Sequence, residues 1–214
     1  KTLFPYTTLF RSGNNLHKGV GQSDTGLLVG SGAGAFDGTG LKRAFLDREI
    51  IDSIQKTGVH PDLGLKVNDG VVAHQLEEAA EVIKGADVVM CGVNSFGVEW
   101  VGEQLAKFVQ PGQKLLVITK GMRADEDGTL HLLPNIVKSY FDPELADSVS
   151  WNAITGPSIA GELAVHHHTA VVFCGHNQDD LDFLANLFRT DYYHVWTSLD
   201  FNGYETGAAT KNVY

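Results

Sequence analysis

From about residue 45 onward the chain alternates short apolar, β-branched runs with amphipathic segments, and this alternation constrains the fold more than any other feature. DVVMCGV (87–93), KLLVIT (114–119), SVSWNAI (148–154), TAVVFCG (169–175) and YYHVWT (192–197) read as strands. Helical patterns lie between and before them: DREIIDSIQKT (47–57), QLEEAAEVIK (75–84), GVEWVGEQLAKFVQ (97–110), residues 131–140, PSIAGELA (157–164) and QDDLDFLANLF (178–188). Gly58, Gly85 and the pair Pro111-Gly112 supply stop signals. Strands that are apolar almost throughout must be covered on both faces, which predicts a mostly parallel sheet in an α/β fold, with later strands antiparallel at one edge. Ligands of such sheets sit at the carboxyl ends of the strands.

Charge narrows the partners. Among 214 residues, 20% are charged, and the net charge is -10. An acidic surface repels nucleic acid and anionic membranes, so neither is an expected partner, and an anionic substrate needs lysines focused at one place. No apolar run approaches the roughly 18 residues of a membrane span, and the N-terminus lacks the apolar core of a signal peptide. Cys91 and Cys174 each lie inside an apolar run, as buried free thiols of a reducing cytoplasm would. Residues 2–12 (TLFPYTTLFRS) look like the in-frame translation of a DNA sequencing adapter. Residues 1–12 are therefore set aside as a scar, with an ordinary mobile N-terminal extension as the alternative; residues 13–199 are assigned to a dinucleotide-binding domain, and residues 200–214 to the start of a second, helical one.

Leu27-Leu28-Val29 is followed by GSGAGAFDGTGL (30–41), in which Gly30, Gly32 and Ala35 fit G-x-G-x-x-A, the Rossmann-type phosphate turn. The glycines allow a tight turn and close approach of a pyrophosphate, and a helix N-terminus should follow. A flexible glycine-rich linker matches the same pattern. Only residues 36–46 separate Ala35 from Asp47, too few for a helix, a turn and a second strand. The expectation is thus a Rossmann-like sheet whose first βαβ unit is incomplete.

Three lysine or glycine positions stand where ligands bind. Lys120 follows a buried strand and precedes Gly121, which puts an ammonium at a strand's carboxyl end; a solvated loop lysine is the alternative. In Thr155-Gly156-Pro157-Ser158, Pro157 suits the first position of a helix, Gly156 admits close approach, and Ser158 with the helix N-terminus favours an anionic or hydroxylated ligand; an ordinary capped helix is the alternative. Lys211 lies on a helix over 202–213 whose small face is Gly203, Gly207 and Ala208. It is either costly to bury unpaired or exposed. His166-His167-His168 cannot all face one ion, so no metal is expected. Asp125-Glu126-Asp127-Gly128 reads as a solvated turn, and Trp100, Trp151 and Trp196 as core.

VNSFGVEWVGEQL (93–105), VITKGM (117–122), ITGPSIAGELA (154–164) and GYETGAATKNV (203–213), in this order, resemble NAD(P)-dependent glycerol-3-phosphate dehydrogenases. The resemblance is strongest from about residue 47 onward, and GSGA…FDGTGL looks like the same family's glycine turn with residues inserted and the following helix and strand missing. It implies reversible hydride transfer between sn-glycerol 3-phosphate and dihydroxyacetone phosphate, with NAD or NADP as cofactor. It implies Lys211 as the general base and acid, and Lys120, Gly156, Ser158 and Asn212 on the substrate. Gly30, Gly32, Ala33, Phe36, Lys120 and Ala160 are implied on the cofactor. In the family a helical domain follows and clamps the phosphate, so these 214 residues are expected to be a cytoplasmic enzyme's inactive fragment, compatible with a homodimer at full length. Another Rossmann oxidoreductase of the 6-phosphogluconate or ketopantoate type, or a non-catalytic nucleotide-binding domain, stays open as an alternative.

Overall fold

The computed structural model describes residues 6–11, 25–30, 35–36, 42–43, 46–61, 64–67, 71–93 and 95–210. In chain order, β1 (Tyr6–Arg11), β2 (Thr25–Gly30) and the ribbon β3 (Ala35–Phe36) and β4 (Lys42–Arg43) precede α1 (Leu46–Thr57). Next come the ribbon β5 (Val59–His60) and β6 (Leu65–Lys66), β7 (Val71–His74), α2 (Ala79–Ile83), β8 (Val88–Gly92), α3 (Val98–Phe108) and β9 (Lys114–Val117). The ribbon β10 (Met122–Ala124) and β11 (Leu130–Leu132) leads into α4 (Leu133–Lys138), α5 (Pro143–Ser148) and β12 (Ser150–Thr155). Then follow α6 (Ala160–Ala164), β13 (Thr169–Gly175), α7 (Gln178–Phe188), β14 (Tyr193–Ser198) and α8 (Phe201–Thr210).

Eight strands form one sheet in the order β14-β13-β12-β9-β8-β1-β2-β7. β7, β2, β8, β9 and β12 run in one direction, and β1, β13 and β14 run in the other. The mostly parallel sheet expected from the apolar runs is present; the later strands reverse between β12 and β13, and β1 runs against both of its neighbours.

Side-chain alternation assigns the two faces. On one, Val89, Cys91, Leu115 and Val117 are buried beneath α2, α3 and α4. On the other, Val88, Met90 and Leu116 lie with Ile154, Val171 and Phe173 beneath Leu181, Leu184 and Ala185 of α7. Successive residues of β8 and β9 thus serve opposite cores, as the two-residue period of a strand requires. Each such side chain, fully buried, contributes on the order of 2 kcal/mol. Packing is close where α3 meets α4: a Cβ on Gly102 would stand 2.6 Å from a ring carbon of Tyr140.

Polar groups tie the elements. The Gln113 side chain is buried, donates to the carbonyls of Ile83 (2.8 Å) and Ala86 (2.7 Å), and accepts from the amide of Gln110. It pins the turn before β9 to the end of α2. Asn177 caps α7 by accepting from the amide of Asp180, and Asp142 caps α5 in the same way. Cys91 and Cys174 are buried free thiols, each pushed up to about 12, chiefly by burial.

The helix read over 47–57 is α1, and β7, a strand that the sequence reading did not predict, follows it. β2 and β7 pair in parallel, and Ile50, Ile51 and Ile54 of α1 pack on Ala73 of β7. The ribbons β3–β4 and β5–β6 lie in the two connections, and among the described residues no helix stands between β2 and α1, in keeping with an incomplete first unit. Residues 1–12, set aside as a scar, contain β1, which pairs with both β2 and β8; Tyr, Thr and Phe are strong strand formers whatever their origin. The helix read over 157–164 begins at Ala160, because Ile159 is extended at φ -111°, ψ 119°. Pro157 and Ser158 therefore precede the helix.

Candidate active site at the carboxyl ends of the central strands

β8, β9 and β12 end on one edge of the sheet. The Ile118 amide donates to the Cys91 carbonyl at 2.9 Å, and the Thr119 hydroxyl, itself buried, donates to the Val93 carbonyl. These two bonds carry the β8–β9 ladder past its last residues and fix the chain direction entering Lys120. Gly121 follows at φ 141°, a conformation that side-chain-bearing residues rarely adopt, and its carbonyl accepts from Leu133 at the start of α4. Lys120 is thus half-buried at a strand's carboxyl end, held on both sides.

α8 brings a group that the sequence reading did not single out. Phe201 and Glu205 are the buried residues of this helix, one turn apart on a single face. Phe201 packs with Leu132, Ala153 and Cys174. Glu205 is 0% exposed, and neither carboxylate oxygen receives a hydrogen bond among the described residues. Burial pushes its carboxyl up to about 7, and the Lys120 ammonium pulls it back down. The available signal was the four-residue spacing from Phe201, which places a charged residue on the inward face of a helix otherwise built of small residues.

A cavity of about 480 Å³ is bounded by Thr155 and Val172 of the sheet, by Gly156 just past β12, and by Gly203, Tyr204 and Gly207 on α8. That volume suits a small-molecule ligand. Gly156 has φ 105°, and a Cβ there would meet the Ala170 carbonyl at 3.2 Å. Its lack of a side chain therefore accommodates the backbone of β13 as well as opening the cavity. Ser158 is exposed beyond Gly156, and Ala160 is the first residue of α6.

The remaining expected positions divide by location. Gly30 is the last residue of β2, and Phe36 belongs to the β3–β4 ribbon, paired with Lys42. Gly32, Ala33, Lys211 and Asn212 lie outside the described residues. The expected approach of Lys120 to Lys211 therefore falls outside the described residues. In the histidine run, His166 adopts φ 62° and stacks on Tyr192 at 4.2 Å, while His168 approaches His194 at 2.9 Å. The rings turn to different partners, and no group of three or more metal-ligating side chains forms among the described residues. Nor is any described helix long and apolar enough to cross a membrane.

Comparison with known proteins gives a consistent picture. The model of the NAD-dependent glycerol-3-phosphate dehydrogenase N-terminus matches residues 44–181. The NADP(+)-dependent glycerol-3-phosphate dehydrogenase of Archaeoglobus fulgidus is 33% identical over 168 residues, 78% of this chain and 48% of that protein. The chain spans about half the length of the curated relatives it matches. Among solved structures, the glycerol-3-phosphate dehydrogenase of Coxiella burnetii aligns at TM-score 0.66 with 20% identity, covering 78% of this chain and 49% of that one. The Dunaliella salina enzyme also gives a TM-score of 0.66, at 24% identity, covering 78% of this chain and 28% of that one. These structural likenesses show the shared fold.

Proposed function

The chain belongs to the NAD-dependent glycerol-3-phosphate dehydrogenase family, and from that premise we propose that it carries the cofactor-binding part of an enzyme that moves a hydride between C2 of sn-glycerol 3-phosphate and NAD or NADP. Dihydroxyacetone phosphate is the ketone partner. The observation that carries the reading is the placement of Lys120, a half-buried cation fixed where β8 and β9 end, in a protein of net charge -10. An anionic dinucleotide and a phosphorylated substrate need such a focus.

The residues present fit the cofactor. Gly30 ends β2 without a side chain to obstruct a phosphate, and Lys120 stands on the same edge of the sheet. The nicotinamide supplies hydride chemistry when bound. Lys120 would orient the reacting oxygen of the substrate and stabilise negative charge that develops on it. Gly156 and the cavity beside α8 would admit the three-carbon substrate, with Ser158 contacting the substrate and Ala160 lying against the cofactor. Lys211 would take the hydroxyl proton during alcohol oxidation and return it during ketone reduction, with Asn212 holding the substrate beside it. Two buried free thiols and the acidic surface support a reducing, cytoplasmic setting.

The test is a fluorescence titration of the 214-residue chain with NADH, with and without dihydroxyacetone phosphate. Saturable binding that Lys120→Ala weakens at least about tenfold, the cost of roughly 1.4 kcal/mol, supports the reading. Binding unaffected by that substitution removes its basis. The chain is expected to bind without sustained turnover, and measurable oxidation of NADH by dihydroxyacetone phosphate would reverse that part.

A further inference from the structure

Asn202-Gly203 is the one asparagine–glycine pair in the chain. It lies in the first turn of α8, and both residues are exposed. Glycine has no side chain to shield its own amide nitrogen, so this pairing is the one most prone to cyclise, the glycine nitrogen attacking the asparagine side-chain carbonyl carbon. The structure gives a reason for glycine at 203. Asp200 precedes the helix, and its Oδ1 accepts from the Gly203 amide at 2.9 Å. A Cβ on Gly203 would stand 2.1 Å from Asp200 Oδ2. The capping contact therefore leaves no room for a side chain, and Asn202 is followed by the residue that exposes it most to attack.

The same contact restrains the reaction. The nitrogen must shed its proton to attack, and a carboxylate that accepts that N–H holds the proton in place and disfavours negative charge on the nitrogen. Cyclisation also requires Asn202 to leave the helical conformation. Asp200 opposes this too: its carbonyl accepts from the Tyr204 amide at 3.2 Å, and its own amide donates to the Ser198 hydroxyl at 3.1 Å. Phe201, 4% exposed, anchors the turn to the sheet. We propose that Asn202 is a modification site whose conversion to aspartate and isoaspartate is paced by the Asp200 cap. A bond forms between the Gly203 nitrogen and Asn202 Cγ, and the side-chain amide leaves as ammonia, carrying the proton that the Gly203 nitrogen gives up. Water then opens the cyclic imide, at one carbonyl to give aspartate and at the other to give isoaspartate. The isoaspartyl form puts an extra methylene into the backbone of the turn that presents Gly203 and Tyr204 to the cavity. The modification thus reaches the cavity wall, and it is independent of the dehydrogenase reading.

The experiment incubates the whole 214-residue chain in mildly alkaline buffer and follows Asn202 by peptide mapping. Mass spectrometry reports the exchange of ammonia for water, and enzymatic methylation of isoaspartate reports the second product. Asn202→Gln assigns the signal, because glutamine cyclises far more slowly. The native wild type should convert Asn202 steadily. Asp200→Ala should convert it about fivefold faster, the factor that loss of a capping contact implies, and Asp200→Ser, which keeps an acceptor, should stay close to wild type. No conversion in the native wild type, or equal rates in wild type and Asp200→Ala, would overturn the proposal. A second readout needs no variant, so a failure of Asp200→Ala to fold does not stop the test. Wild type unfolded in urea should convert Asn202 several-fold faster than the native chain, and equal rates would overturn the pacing by the fold. None of these measurements uses a nucleotide, so their outcome stands whether or not the chain binds NADH.

Discussion

The hydroxyl of Thr119 donates to the carbonyl of Val93, bridging the ends of two parallel strands one residue before Lys120. Removing that hydroxyl while keeping the branched shape leaves a buried carbonyl short of a donor. Thr119→Val is expected to cost about 1–2 kcal/mol and to weaken NADH binding through the loosened Lys120. Urea denaturation and NADH titration report the two effects. Loss of stability with unchanged affinity would mean that the bridge does not position the lysine.

Glu205 gives stability a pH dependence whose sign can be worked out. Its carboxyl rises on folding from the ordinary 4.5 to about 7, first because of burial, with Lys120 acting against the rise. Below the ordinary value both folded and unfolded chains hold the proton, and the group's contribution is fully present. As pH rises through the folded value that contribution is lost, because the unfolded chain has already released its proton and the folded chain has resisted. At about 1.4 kcal/mol per pH unit the loss is roughly 3 kcal/mol. The stability of wild type minus that of Glu205→Gln should therefore fall by a few kcal/mol between pH 4.5 and 8, measured by urea melts; a constant difference would contradict the assignment.

Gly156→Ala tests the turn after β12. With φ 105° and the Ala170 carbonyl 3.2 Å from the added methyl, the substitution meets both backbone strain and a close contact. A loss of about 1–3 kcal/mol is expected, together with a narrower cavity. Thermal unfolding measures the first effect. A neutral result would show that the strand end can rotate out of this conformation freely.

Gln113→Leu tests the fastening between α2 and β9. The substitution keeps the volume and strands the carbonyls of Ile83 and Ala86 without their donor. A cost of about 2–3 kcal/mol is expected by chemical denaturation, whereas Gln113→Glu, which keeps the shape but loses the donating amide, should be no better.

The sequence exposed most of the sheet and much less of its first unit. TAVVFCG and QDDLDFLANLF were readable to the residue as β13 and α7, because a continuous apolar run and a capped amphipathic helix each have one low-energy solution. The same holds for Lys120, whose place follows from the strand before it. α1 was readable at 47–57, but β7 and its parallel pairing with β2 were not, because the run is four residues long and the ribbons β3–β4 and β5–β6 around α1 carry no periodicity to detect. The helix over 157–164 was read too long because Pro157 suits a first turn, a local preference overridden by the extended Ile159. Glu205 went unnoticed because a glutamate near small residues looks solvent-facing until the packing of Phe201 fixes the rotation of α8.

A variant lacking residues 1–12 should fold and bind NADH more tightly than the 214-residue chain. β2 and β8 both oppose β1, so they already point the same way and can pair directly once it is gone. A titration showing equal or weaker affinity would count against this.

The intervening strand acts as a spacer. With neighbouring strands about 4.8 Å apart, β1 holds the carboxyl ends of β2 and β8 about 10 Å from one another, twice the distance of direct neighbours. The glycine at the end of β2 and the lysine beyond β9 are thereby moved apart like jaws with a shim between them, so the molecule's grip on a dinucleotide becomes a question of width before it is one of chemistry.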